Sequence, residues 1–262
     1  MELWTPEHIR TLLPSLGIMI LIAAVLRLTL GKKSLKIRMI PFQILACIIV
    51  LLEIGKQTLS VQRGYDLYHL PFHFCSLFLF VLPAMAFYKG KHVQTVSAIT
   101  SAVCGSLFLL MLIYPNLIYS AGNINAFFTD FFSFHTVAFH NIVMLAFLLI
   151  VALDLHVPAP KGECKAATFF TIGFCAISAT MAQVLQTNYA NFYHCNVAPV
   201  EAFRVSMQGI LGYVPTQVIY VLILSGLNIG FVLLSYWAYR LLRSIVTAPK
   251  TLRNSKKQPI SQ

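Results

Sequence analysis

Ile37-Arg-Met-Ile-Pro-Phe-Gln-Ile-Leu-Ala-Cys-Ile-Ile-Val-Leu-Leu-Glu53-Ile-Gly-Lys-Gln57-Thr-Leu59 is a greasy stretch long enough to cross a bilayer, interrupted near one end by a carboxylate and an amide. Crossing about 30 Å of hydrocarbon takes about 20 mostly apolar residues in a helix. Six further stretches of this kind follow or precede it: Thr11–Leu30, Leu70–Tyr88, Val93–Ile113, Phe131–Leu153, Lys165–Gln186 and Pro215–Leu242. Hydrophobic residues make up 58% of the 262 positions and charged ones 10%, which excludes an ordinary soluble domain. The reading is an all-α, multi-pass integral membrane protein, a seven-transmembrane-helix bundle over residues 1–246. A basic, disordered cytoplasmic tail is expected over 247–262. The first apolar run lacks a preceding basic region, so it reads as a retained span rather than a cleaved signal.

The net charge of +11 is explained by where it falls. Lys32, Lys33, Lys36 and Arg38 lie between spans one and two, Lys89 and Lys91 between three and four, and Lys161 and Lys165 between five and six. Arg240, Arg243, Lys250, Arg253, Lys256 and Lys257 follow span seven. All fall on one side of a seven-span chain, while Arg10, Arg63 and Arg204 fall on the other. This positive-inside pattern puts the N-terminus outside and the C-terminus in the cytoplasm. It makes the basic excess a topology signal and an attraction to anionic lipid, not a nucleic-acid footprint. Short inner turns such as Lys89-Gly-Lys make successive helices antiparallel neighbours.

Cys47, Cys75, Cys104 and Cys175 lie inside spans, Cys164 on the basic side and only Cys195 in an outer loop, so no disulfide framework is expected. With no CxxC pair, no metal site and no cofactor are expected either.

The polar residues within the spans gather toward the outer end. Ionisable groups in hydrocarbon are costly and are usually kept for function. Glu53 and Gln57, four apart, share a helix face. Either Glu53 and Lys56 form a local ion pair at the interface with Lys56 snorkelling outward, or Glu53 faces inward to orient a histidine or bind a headgroup. His69-Leu-Pro-Phe-His73-Phe-Cys75-Ser opens span three. At 100° per residue His73 and Cys75 diverge by about 200°, so on a regular helix a base for Cys75 must come from elsewhere. Burial opposes a thiolate, so a reactive Cys75 needs a neighbouring imidazole or cation; otherwise it is a packing thiol. Phe131-Phe-Ser-Phe-His135-Thr-Val-Ala-Phe-His140 opens span five with two histidines about 140° apart. Counted from the helix starts, His135 matches Cys75 in depth and His140 lies about one and a half turns deeper. Gln183 and Asn188, at the outer end of span six, are further candidates for lining a shared chamber, which the outer loops Tyr114–Asp130 and Thr187–Val214 are placed to cap. Arg27 is expected to snorkel to the basic face, and the inner half of the bundle is expected to be dry.

Leu70-Pro-Phe-His73-Phe-Cys75, with Phe-His135-x4-His140, Glu53 before it and Thr187-Asn-Tyr189 after span six, resembles the YwaF-type bacterial integral membrane proteins. The likeness covers roughly residues 10–245. It extends to the eukaryotic transmembrane protein 164 group of cysteine-dependent acyltransferases, which move a fatty acyl chain between phospholipids. The resemblance implies that Cys75 accepts the acyl chain and that His140, or else His135, is its base. His73, Glu53, Gln57, Gln183 and Asn188 would then hold a membrane phospholipid or lyso-phospholipid. Two other classes fit the residues alone. Intramembrane Glu and His suit a proton-coupled carrier for a small polar solute, and the topology suits a non-catalytic lipid-binding sensor.

Overall fold

The protein, seen in a computed structural model, is described over residues 4–117, 119–159 and 162–255. Its described residues are helical and contain no strand. The helices are α1 (Pro6–Leu30), α2 (Leu35–Gln62), α3 (Phe78–Phe87), α4 (Val93–Ile113), α5 (Ala121–Asn125), α6 (Phe131–Ala152), α7 (Glu163–Val184), α8 (Ala198–Leu211) and α9 (Tyr213–Ser255). Six of them, α1, α2, α4, α6, α7 and α9, are long and apolar enough to cross a membrane. The chain is therefore an integral, multi-pass membrane protein. α4 is the most enclosed of these: more than half of its most apolar window is buried, and it packs on α3, α6, α7 and α9.

The stretch read as span three departs from expectation. Helix does not begin at Leu70. Leu70 and His73 are extended, at φ −62°, ψ 147° and φ −77°, ψ 154°. Pro71 forces this on Leu70, because a residue before proline is pushed out of the helical region. A 3₁₀ turn at Phe74–Leu77 then leads into α3, giving an apolar helical stretch of only 14 residues, Phe74–Phe87. The segment before it, Arg63–His73, is irregular, with Gly64 at φ 89° and a short turn at Leu67–His69 capped by Asp66.

The end of the bundle read as inner is not dry. Arg27 Nη1 donates to Asp154 Oδ2 at 2.5 Å and to the Ala152 carbonyl at 2.6 Å, rather than snorkelling free. Arg243 Nη2 lies 3.1 Å from Asp154 Oδ1, and Arg38 donates to the Leu153 carbonyl at 2.6 Å. Beside them the buried His156 contacts Ser101 Oγ through Nδ1 at 3.0 Å and Glu163 Oε1 through Nε2 at 3.2 Å. Gln94 and the Tyr236 hydroxyl also donate to Glu163. Asp154, His156, Glu163 and Arg243 sit just beyond the apolar runs, and the 153–157 loop folds back onto the helix ends, which hydropathy alone does not reveal. Ordered apolar packing separates this end from the outer one. Along α6, Val143, Met144, Phe147 and Ile150 are all buried.

α9 continues to Ser255, into the segment read as a tail. Lys161 and residues 256–262, including Lys256 and Lys257, lie outside the described residues. All six cysteines are free thiols.

Candidate functional site

The polar end of the bundle read as outer holds a cavity of about 350 Å³. Glu53 and Lys56 of α2, His73, Cys75 and Ser76 at the start of span three, and His135 and His140 of α6 all line it. The non-helical start of span three is what lets His73 and Cys75 face one space. The 200° divergence expected of them holds only on a continuous helix, and His73 precedes the first helical turn.

Glu53 is the electrostatic centre. Its Oε1 accepts from Lys56 Nζ at 2.7 Å and from Gln57 Nε2 at 2.7 Å, and its Oε2 lies 3.2 Å from His135 Nε2. A carboxylate with an ammonium and an amide on one oxygen, and an imidazole on the other, has the partners that a desolvated charge requires. Lys56 thus pairs with Glu53 and lines the cavity.

The two α6 histidines are held differently. His140 Nδ1 meets the Thr136 carbonyl at 2.6 Å, one turn back on its own helix. That contact requires Nδ1–H, which leaves Nε2 bare. Its ring sits edge-on to Tyr119 at 6.1 Å and to Phe139 at 5.7 Å. His135 has the carboxylate of Glu53 instead, and its ring tilts against Phe139 at 5.3 Å. Both are buried.

The outer loops close over this space. His73 Nε2 meets the Tyr68 carbonyl at 3.0 Å, and its ring lies between Tyr68, at 4.3 Å, and the fully buried Tyr189, at 5.3 Å. The Tyr189 hydroxyl donates to the Leu67 carbonyl, tying the second outer loop to the irregular segment before span three. Asn123, from the first outer loop, also lines the cavity. Beneath it, His8 Nε2 holds the Tyr119 carbonyl at 2.8 Å and so fixes the ring against which His140 rests.

Three of the residues read from the sequence do not line the cavity. Gln57 stands behind it, bonding Glu53 and the His69 carbonyl and accepting from the Tyr65 hydroxyl. Gln183 donates to the Phe192 carbonyl and accepts from the Tyr213 hydroxyl. Asn188 caps its own loop through the amides of Tyr193 and His194. Conversely, Tyr68, His69, Phe132 and Thr136 line the cavity without having been singled out. His69 is the one that carries a signal, since it sits four residues before His73. Its Nδ1 meets Ser60 Oγ at 2.5 Å and its ring stacks on Phe132.

The model of the TMEM164 family matches residues 3–239. The chain belongs to the TMEM164 family. No curated protein and no solved structure matches it. The match takes in every cavity residue named above, from Glu53 to His140. The match therefore covers the whole cavity site, five of the six long apolar helices, and α9 as far as Tyr239.

Proposed function

We propose that this TMEM164-family protein is a thiol-dependent acyltransferase that remodels membrane phospholipids, with Cys75 as the acyl acceptor. The observation that carries the reading is one cavity lined by a thiol, four imidazoles and a carboxylate that lies 3.2 Å from one of them, His135. His135 is the better base. An imidazole that takes a proton becomes a cation, and Glu53 stands 3.2 Å away to compensate it. The contacts of His140 are a carbonyl and aromatic rings, so that role, which the resemblance favours, would leave the charge uncompensated. His140 instead presents a bare Nε2 that can accept a hydrogen bond from a substrate hydroxyl.

The chemistry runs in two balanced halves. His135 takes the Cys75 proton, and the thiolate adds to the acyl carbonyl of a phospholipid ester. The ester C–O bond breaks, the departing alkoxide takes the proton from the imidazolium, and a lyso-lipid leaves. A lyso-phospholipid hydroxyl then gives its proton to His135 and adds to the thioester. The C–S bond breaks, and Cys75 recovers its proton. Lys56, His73 and Asn123 are placed to meet headgroup oxygens.

The proposal includes seven crossings, with the N-terminus outside. Fourteen helical residues rise about 21 Å, short of about 30 Å of hydrocarbon. The Arg63–His73 segment would complete the third crossing, which irregular backbone can do when protein covers it. Tyr189 and the α2 side chains Gln57 and Ser60 supply that cover.

A through-path carrier is disfavoured by the buried apolar layer on α6 between His140 and Asp154. The deciding experiment is lipid mass spectrometry of cells carrying wild type or Cys75→Ser. A shift in acyl composition of at least one phospholipid class that depends on Cys75 is expected. Identical lipid profiles would overturn the assignment.

A further inference from the structure

α8 and the N-terminal half of α9 line a second cavity, of about 370 Å³, which shares no lining residue with the Cys75 cavity. Its size falls within the range of about 300–1,000 Å³ usual for small-molecule sites. Its walls are apolar: Val200, Phe203 and Met207 from α8 face Ile219, Ile223 and Leu227 of α9. From Thr216 to Leu227 the groove follows eleven residues of helix, about 16 Å, the run of an extended acyl chain.

One end is polar, and its polar atoms are not satisfied. Thr216 is 4% exposed, lines the groove, and its Oγ1 has no hydrogen-bond partner among the described residues. A helical threonine usually donates to the carbonyl four residues back, but here that residue is Gly212, at φ 82° and ψ 170°, outside the helix. Asn191 also lines the groove, and its Oδ1 is buried and equally unpartnered among the described residues. A buried polar atom left without a partner costs about 1–3 kcal/mol and calls for an explanation. The charge at this end is already balanced. Arg204 is engaged by both oxygens of Glu201, at 2.6 and 2.9 Å, and reaches Gln217 at 3.3 Å.

We infer that this groove is a binding site for a neutral, hydroxyl-bearing, single-chain lipid, with its chain between α8 and α9 and its hydroxyl between Thr216 Oγ1 and Asn191 Oδ1. A hydroxyl both donates and accepts. It can give its proton to Asn191 Oδ1 and take one from Thr216. A carboxylate would leave the asparagine oxygen bare, and an ammonium would leave the threonine hydroxyl without an acceptor. The neutralised Arg204 offers no free charge to attract an anionic headgroup. The surroundings supply the ligand class. α8 has no buried side chain, Phe203 is 66% exposed, and the flanking helices are membrane spans. The site stands apart from any chemistry at Cys75.

The test uses the full-length protein in phosphatidylcholine nanodiscs with a monoacylglycerol carrying a diazirine in its chain. Photolabelled peptides should map to residues 197–227. The methyl ester of the same photoreactive acid, which has no hydroxyl, should label this segment about fivefold less, the value of about one hydrogen bond. Thr216→Val should lower monoacylglycerol labelling by about the same factor and should not lower the melting temperature of the lipid-free protein, since it removes an unsatisfied hydroxyl. Met207→Trp, which fills the groove, should abolish the label. Equal labelling by both probes, or labelling indifferent to Thr216→Val, would show that the groove merely takes up surrounding chains and would overturn the site, as would a label mapping elsewhere.

Discussion

Glu53 Oε2 lies 3.2 Å from His135 Nε2, inside a cavity that Cys75 also lines. The carboxylate comes from α2, the imidazole from α6 and the thiol from the turn before α3, so three elements distant in sequence line one cavity. Lys56 and Gln57 hold the other oxygen of Glu53.

Removing the charge at this pair while preserving its shape is the sharpest probe of its role. Glu53→Gln is expected to lower the turnover of lipid acyl transfer by about 10²–10⁴-fold, the usual contribution of general acid–base catalysis, with the protein still folded. A rate unchanged in Glu53→Gln, measured with a defined phospholipid donor and lyso-phospholipid acceptor, would remove the pair from the chemistry.

The strap over the cavity depends on Tyr189. Tyr189→Phe loses the hydroxyl bond to the Leu67 carbonyl and should cost about 0.5–1.5 kcal/mol. Tyr189→Ala also loses the packing against Phe72 and His73 and should cost about 3–5 kcal/mol. Chemical denaturation in micelles measures both. Equal costs would mean that the ring does not hold the strap.

Acid should loosen the inner end. Burial pushes the His156 imidazole below its ordinary value of 6.5, only partly opposed by its bond to Glu163. The unfolded chain therefore takes up a proton near pH 6.5 that the folded chain refuses. Above that pH both forms are neutral, and this contribution to stability is fully present. As pH falls from 6.5 toward the depressed folded value, the contribution is lost. Melting temperatures measured from pH 7.5 to 5.5 should drop more steeply for wild type than for His156→Gln. Parallel curves would contradict the assignment.

Much of the architecture was legible because apolar runs of spanning length are hard to read otherwise. Val93–Ile113 was drawn to the residue, and the ends of the other long spans moved by a few positions. The non-helical start of span three is not legible, because hydropathy does not see backbone angles. Leu70 is as apolar as any helical residue, yet Pro71 holds it extended. The candidate site was legible where the expense of a buried ionisable group marks it, at Glu53, His73, Cys75, His135 and His140. The amides Gln57, Gln183 and Asn188 were less so, since an amide near a helix end serves a loop carbonyl as readily as a ligand. The inner cluster of Asp154, His156 and Glu163 went unseen because its members sit in a connection and at a helix start, and only the folding back of residues 153–157 buries them.

The account rests on an acyl group passing through Cys75. Purified protein incubated with a phospholipid carrying an alkyne-tagged acyl chain, quenched and digested, should yield a peptide containing Cys75 that bears the tag through a hydroxylamine-sensitive thioester, and Cys75→Ala should yield none. Turnover with no tag on that peptide, or an undiminished tag in Cys75→Ala, would contradict it.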